Sequence, residues 1–259
     1  MSAGRVTAVI DDRIATVRFD RPQSHNAMTW AMYDELAEIC ERLRSDRDIV
    51  AVVFRGAGGQ AFVSGTDIGQ LTDITDGDAG LAYEARIEAC VGAIERLPKP
   101  TLALIDGWAL GGGLALASAC DVRLATAAAR FGAPIARTVG NCLTLANTRR
   151  LIAGFGVAAA KRILMLGEII AADEALKCGF VLDVVDADAL ERRAADLLGV
   201  LGTLAPLTLR ASKEMIRRIV HEETAGGAAD LIAEVYGSED FRAGVRAFID
   251  KTPPKWQGR

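Results

Sequence analysis

Three consecutive glycines, Gly111-Gly112-Gly113, follow Gly107-Trp108-Ala109-Leu110 and open a run of small residues, Leu114-Ala115-Leu116-Ala117-Ser118-Ala119-Cys120, ending at Asp121. Without Cβ atoms, such a stretch lets a ligand or another backbone come close. The first turn of the helix it opens also presents unpaired N–H groups and the positive end of a dipole, which suits an oxygen gaining negative charge. A second segment, Phe62-Val63-Ser64-Gly65-Thr66-Asp67-Ile68, makes a sharp turn at Gly65 that can leave the Thr66 N–H pointing into a cleft. Two such turns behind neighbouring parallel strands aim two N–H donors at one point, the arrangement that stabilises an oxyanion. A dinucleotide-binding reading fails, because G-x-G-x-x-G spacing and an acidic residue about 20 positions on are both absent.

Other reactive side chains are scattered. Gly140-Asn141-Cys142 follows Arg137, and a thiol beside a cation can become a nucleophile; the plainer reading makes Cys142 a small buried residue, with Asn141 capping a helix from Thr144. Asp73, Asp76, Asp78, Tyr83, Glu84 and Arg86 are candidate proton donors, or a solvated charged face. His25 reads as a loop residue and His221 as a complement to a helix C-terminus. Trp108 either lines a pocket or packs on the sheet. Cys40, Cys90, Cys120, Cys142 and Cys178 are odd in number and lack a C-x-x-C pair, which argues against disulfides or a metal site.

The elements that must position these residues follow from periodicity. Val6–Ile10 and Ile14–Phe19 form a hairpin around Asp11-Asp12-Arg13. Thr29 caps a helix with an apolar stripe through Trp30, Tyr33, Leu36, Ile39 or Cys40, and Leu43. The apolar runs 50–55 and Thr101–Ile105, separated by an amphipathic helix over 81–97, indicate a parallel sheet covered by helices; 121–125 and 181–185 continue it. From Ala187 the pattern is helical only: 188–201, 208–221, 228–236 and 238–250, with Pro206, Gly226-Gly227 and Pro253-Pro254 as breaks. The chain divides into a core over 1–186 and a helical region over 187–259.

A chain of 259 residues, 51% hydrophobic, can bury a large core. Its formal charge of −4 offers no footprint for nucleic acid. No run approaches the ~20 apolar residues of a membrane span, and Met1–Arg13 lacks the apolar stretch of a secretory signal, so the expected location is cytoplasmic, away from membranes.

Taken together, Asp20-Arg21-Pro22-Gln23-Ser24-His25-Asn26-Ala27-Met28, residues 61–68, residues 105–121, Ala172-Asp173-Glu174-Ala175, Gly179-Phe180-Val181, Pro206-Leu207 and residues 238–248 resemble the enoyl-CoA hydratase/isomerase, or crotonase, superfamily. The resemblance implies an α/β fold with a ββα spiral core and a C-terminal helical trimerisation module, assembled as a homotrimer or dimer of trimers. It implies an acyl-CoA substrate and no cofactor beyond the coenzyme A that the substrate carries. Thr66 and Gly112 would supply the oxyanion N–H groups. Ser24, Asn26, Ala27, Ser64, Gly65, Thr66, Asp67, Ile68, Trp108, Gly111, Gly112 and Lys255 would bind substrate, with Arg242 a second tail contact for phosphate.

The two hydratase glutamates of the family fall at Ala115 and Ile135 in this chain, and neither residue can transfer a proton. The expectation is an acyl-CoA enzyme that keeps the oxyanion hole and has lost the acid–base pair. In related aromatic acyl-CoA dehalogenases a nucleophilic Asp follows a Gly-Asn pair where this chain has Cys142, and Arg137 or Asn141 could contact substrate instead. Alternatives are an acyl-CoA decarboxylase, hydrolase or C–C lyase of the same fold, or a non-catalytic CoA-thioester binder. The acidic balance disfavours an RNA-binding relative.

Overall fold

The computed structural model describes residues 4–72, 74–223 and 227–259. Two sheets form the core. β1 (Arg5–Asp11) and β2 (Ile14–Asp20) pair antiparallel about Asp12 and Arg13, both at positive φ, confirming the hairpin. α1 (Trp30–Ser45) begins at Thr29, whose side chain accepts from the Met32 N–H, and buries Tyr33, Leu36, Ile39, Cys40 and Leu43 along the expected stripe. β3 (Ala51–Gly56) leads to β4 (Ala61–Val63). α2 (Gly77–Glu95) then precedes β5 (Thr101–Ile105), β6 (Trp108–Leu110) and α3 (Gly112–Ala119).

β7 (Val122–Thr126), β8 (Arg130–Gly132), α4 (Ile135–Thr138), α5 (Leu145–Met165), β9 (Ile169–Ala171), α6 (Ala172–Lys177) and β10 (Asp183–Val185) complete the core. The larger sheet runs β1-β2-β3-β5-β7-β10 and is parallel beyond its hairpin; the smaller runs β4-β6-β8-β9. The chain alternates between them, so each ββα turn adds one strand to each sheet. Continuous apolar runs suit the larger sheet because both its faces are covered. The main core packs on one face, while Val53, Leu102, Leu104 and Leu124 meet Leu190 and Ala194 of α7 (Leu190–Leu201) on the other.

The smaller sheet leaves no pattern in the sequence. Its four strands are three residues each, too short for a period of two to register. The tail is helical as expected, with α7 followed by α8 (Pro206–Val220), α9 (Ala229–Gly237) and α10 (Glu239–Asp250). Pro206 separates α7 from α8 as expected, and it does so from the first position of α8, where no N–H donor is needed. Asn141 does not cap α5. Thr144 does, accepting from Asn147 N at 3.0 Å. Among the described residues no single helix is long and apolar enough to cross a membrane; α7 with the turn before it and α8, bent by 106°, pass only as a pair on length and composition.

Candidate active site

The two glycine turns meet where β4 and β6 run out side by side. A Cβ on Gly65 (φ +119°) would stand 3.9 Å from Gly112 N, and one on Gly112 would stand 3.7 Å from Thr66 N. The two amides therefore border one space, and among the described residues neither N–H has a hydrogen-bond acceptor. Three neighbouring amides are engaged: Gly111 N donates to Gly132 O (2.8 Å), Met28 N to Gly65 O (2.8 Å) and Asp67 N to Met28 O (2.9 Å). Gly113 lets α3 pack directly on β4, because a Cβ there would lie 1.8 Å from Val63 O. Fixed, unpartnered N–H groups on one space can bind a carbonyl oxygen and favour it as charge develops.

The Arg21–Ile68 side of the cleft is held by internal bonds. Asn26, fully buried at positive φ, accepts from Arg21 N (2.9 Å) and donates to Ala57 O (2.9 Å) and Ala61 O (2.8 Å). All of these bonds are within the protein, so the side chain of Asn26 braces the loop over 21–27 from behind and is not free to reach a ligand. Asp67 pairs with Arg21 and accepts from Gly69 N (2.9 Å). The Arg21 hydrogen bond holds its carboxyl below the usual range. Arg21 also donates to Ala27 O (3.1 Å). Ser64 Oγ donates to Ser24 O (3.4 Å), and Ser64 N to His25 O (3.1 Å). Ile68 and Trp108 are left exposed, at 61% and 40%, as apolar surface beside the turns.

Ala115 is buried in α3 and Ile135 opens α4, so no carboxyl stands at either position. Arg137, Asn141 and Cys142 are exposed, and the Arg137 guanidinium donates to Gly167 O (3.1 Å). Lys255 is exposed after α10, and Arg242 donates to Gly237 O (3.0 Å). His221, at the C-cap of α8, has Nε2 3.0 Å from Glu95, so it belongs to a buried ion cluster away from the turns. Asp76 caps α2 through Ala79 N (2.8 Å), and Arg86 pairs with Asp34 at 2.6 Å while lying over the Trp30 ring. Asp73 lies outside the described residues.

Two members of that set stand apart. Tyr83 Oη lies 3.0 Å from Thr66 Oγ1, which is also 2.9 Å from Tyr33 Oη. Helical periodicity marks Tyr33 only as core, and its partner is distant in sequence, so no local signal reveals this bond. Glu84 is half-buried, and burial with the nearby Glu88 charge pushes its carboxyl from its ordinary 4.5 to about 7. An acid raised in the folded state costs stability as pH climbs, because the unfolded chain releases the proton first. The penalty is absent below the ordinary value and complete above about 7. Glu84→Gln should therefore raise stability by about 1 kcal/mol at pH 8, after allowance for solvent screening, and by nothing near pH 4. Urea unfolding at the two pH values checks this; equal gains at both would refute it.

The profile described as enoyl-CoA hydratase/isomerase matches residues 10–259. The chain belongs to the enoyl-CoA hydratase/isomerase family. Among its relatives, the short-chain-enoyl-CoA hydratase of Clostridium acetobutylicum is 30% identical over 97% of both chains. The (E)-benzylidenesuccinyl-CoA hydratase of Thauera aromatica is 32% identical over 98% of this chain and 99% of its own. A crystal structure from Magnetospirillum magneticum described as an enoyl-CoA hydratase/carnithine racemase superposes with TM-score 0.90 at 31% identity, covering 100% of this chain and 97% of that one. The crotonase fold is thus shared along the whole chain, and the family acts on acyl-CoA substrates.

Proposed function

We propose that this protein binds an acyl-CoA thioester and stabilises its enolate with the N–H groups of Thr66 and Gly112, without the glutamate pair of family hydratases. The observation that carries this reading is the pair of unpartnered amides bordering one space. One donor of this kind is worth about 3 kcal/mol in the transition state. Hydration also needs proton transfer, which Ala115 and Ile135 cannot perform. The favoured chemistry is therefore one in which enolate formation is the main demand, such as decarboxylation, where loss of CO₂ generates the enolate. Coenzyme A enters as part of the substrate.

The substrate-binding surface runs along Ser24–Ala27 and Ser64–Ile68, with Trp108 beside the acyl group and Lys255 available to phosphate. We assign residues 1–186 to the acyl-CoA core and 187–259 to a helical oligomerisation region, acting as a trimer or dimer of trimers in the cytoplasm. The assembly is supported by apolar side chains exposed on the tail helices, among them Ile216, Ile219, Ile232, Tyr236, Val245 and Ile249.

The test is crotonyl-CoA turnover followed by loss of the enoyl absorbance, with Gly112→Pro as the cleft control. No hydration together with CoA-thioester binding that the control abolishes is the expected result. Fast hydration abolished by the control would overturn the loss of acid–base function. Binding without turnover of malonyl-type, β-keto or aryl thioesters would instead favour a non-catalytic binder.

A further inference from the structure

The three hydroxyls of Tyr33, Thr66 and Tyr83 form one hydrogen-bonded chain. Each hydroxyl has one proton to donate, and the chain contains two hydrogen bonds, Tyr33 to Thr66 at 2.9 Å and Thr66 to Tyr83 at 3.0 Å. One proton must therefore point out of the chain. Tyr33 is fully buried, and Thr66 Oγ1 is the partner of its hydroxyl among the described residues. A buried O–H left undonated is costly, so Tyr33 donates to Thr66. The second bond is made with either oxygen as donor, since Thr66 Oγ1 can accept twice; where Thr66 donates, half-buried Tyr83 keeps its own proton for an outside acceptor.

Two further features hold that donor in place. Burial, with the charge of Glu84 as a lesser contribution, raises the Tyr83 phenol above its usual range, so it stays protonated at neutral pH. The ring packs edge-on against Trp30, with centroids 5.7 Å apart, and Trp30 packs against Tyr33 in turn. Because Thr66 carries both the cleft amide and the relay hydroxyl, the Tyr83 O–H stands one hydrogen bond away from the residue that lines the cleft.

We infer that Tyr83 is the side-chain hydrogen-bond donor to the enolate, oriented by Thr66 and Tyr33, and that it suits acyl groups whose enolate places charge on a second oxygen, as in β-oxo thioesters. The inference rests on the enolate-stabilising reading of the cleft. Tyr83 would contact substrate, whereas the Thr66 hydroxyl and Tyr33 are positioning groups.

Acetoacetyl-CoA is the probe, because its enolate is visible by ultraviolet absorbance and can be quantified while bound. The wild-type protein should bind it with a raised enolate fraction. Tyr83→Phe keeps the ring and its packing and should lower the bound enolate-to-keto ratio about 10-fold or more, the worth of a hydrogen bond to a charged group. Thr66→Val should lower the ratio as well, and Thr66→Ser should restore it, which loss of packing alone would not produce. An unchanged ratio in Tyr83→Phe, with a wild-type protein that binds and enolises the probe, overturns the role of Tyr83 and leaves the cleft reading standing. Failure of the wild-type protein to bind the probe or raise its enolate fraction overturns the cleft reading, and this inference with it. Should Tyr83→Phe not fold, the Thr66 pair decides: a drop in Val that Ser reverses supports the relay, and no drop in Val overturns it.

Discussion

Gly113→Ala is expected to destabilise the protein by about 3 kcal/mol or more, the upper end of what overpacking a close-packed interior costs. The added methyl would stand 1.8 Å from Val63 O and 2.6 Å from the Val63 carbonyl carbon. Both obstacles are backbone, so no rotamer change relieves the clash, and α3 must part from β4. Val63 leads directly into Ser64-Gly65-Thr66, so the strain passes to one of the two cleft amides while the other, on Gly112, sits next to the substitution itself. Loss of stability and loss of acyl-CoA binding should appear together. Gly80→Ala is the matched control: Gly80 lies within α2, where a Cβ would meet nothing within 4 Å, and this change should stabilise by roughly 0.4–1 kcal/mol. Thermal unfolding of both variants decides the matter, and Gly113→Ala melting with the wild type would sink the claim.

The contrast between these two glycines also marks what a sequence can disclose. The legible strands of the larger sheet, five to seven residues long and rich in β-branched and apolar side chains, announce themselves through composition and length. So does α1, through its stripe and the Thr29 cap. The smaller sheet is invisible because each strand ends before a pattern can form, yet it is this sheet that brings the two turns together. The triple glycine was readable as a site for close approach. That Gly113 faces Val63 O while Gly112 faces the Tyr33 hydroxyl and Thr66 is a matter of register, which no single sequence window contains.

The same limit applies to side-chain roles. Asn26 belongs to a motif that carries the family resemblance, but its amide is consumed in tying Arg21 to Ala57 and Ala61. Thr66 was legible for its backbone N–H, whereas its hydroxyl gains meaning only through two tyrosines on different helices. Absences were the easiest to read: alanine at 115 and isoleucine at 135 carry no transferable proton in any fold.

Arg150→Met is expected to cost 3–5 kcal/mol at neutral pH, the usual penalty for removing one partner of a buried ion pair. The Arg150 side chain is 3% exposed and reaches both Glu88 and Glu95 at 2.7 Å, with Asn147 Oδ1 at 2.8 Å. His221 Nε2 stands 3.0 Å from Glu95, so the cluster joins α2, α5 and the end of α8. Burial alone would push Glu95 up, but the hydrogen bonds and charges of Arg150 and His221 outweigh it and hold the carboxyl below its ordinary range. An acid lowered in the folded state contributes stability above its unfolded pKa, and that contribution drains away as pH falls through the folded value.

The penalty of Arg150→Met should therefore be largest at pH 7 and shrink near pH 4, where the stranded glutamates can take up protons. Replacing Arg150, Glu88 and Glu95 together with apolar residues of similar size should recover most of the loss, because the cost lies in unpaired charge and not in missing attraction. Urea unfolding at both pH values separates these outcomes, and a pH-independent loss would mean that packing, not charge, is what Arg150 supplies. The result bears on the cleft because Glu88 and Glu95 share α2 with Tyr83. Loosening that helix should weaken binding of acetoacetyl-CoA in Arg150→Met, and the apolar triple variant, by restoring the anchor without any charge, should bring the binding back.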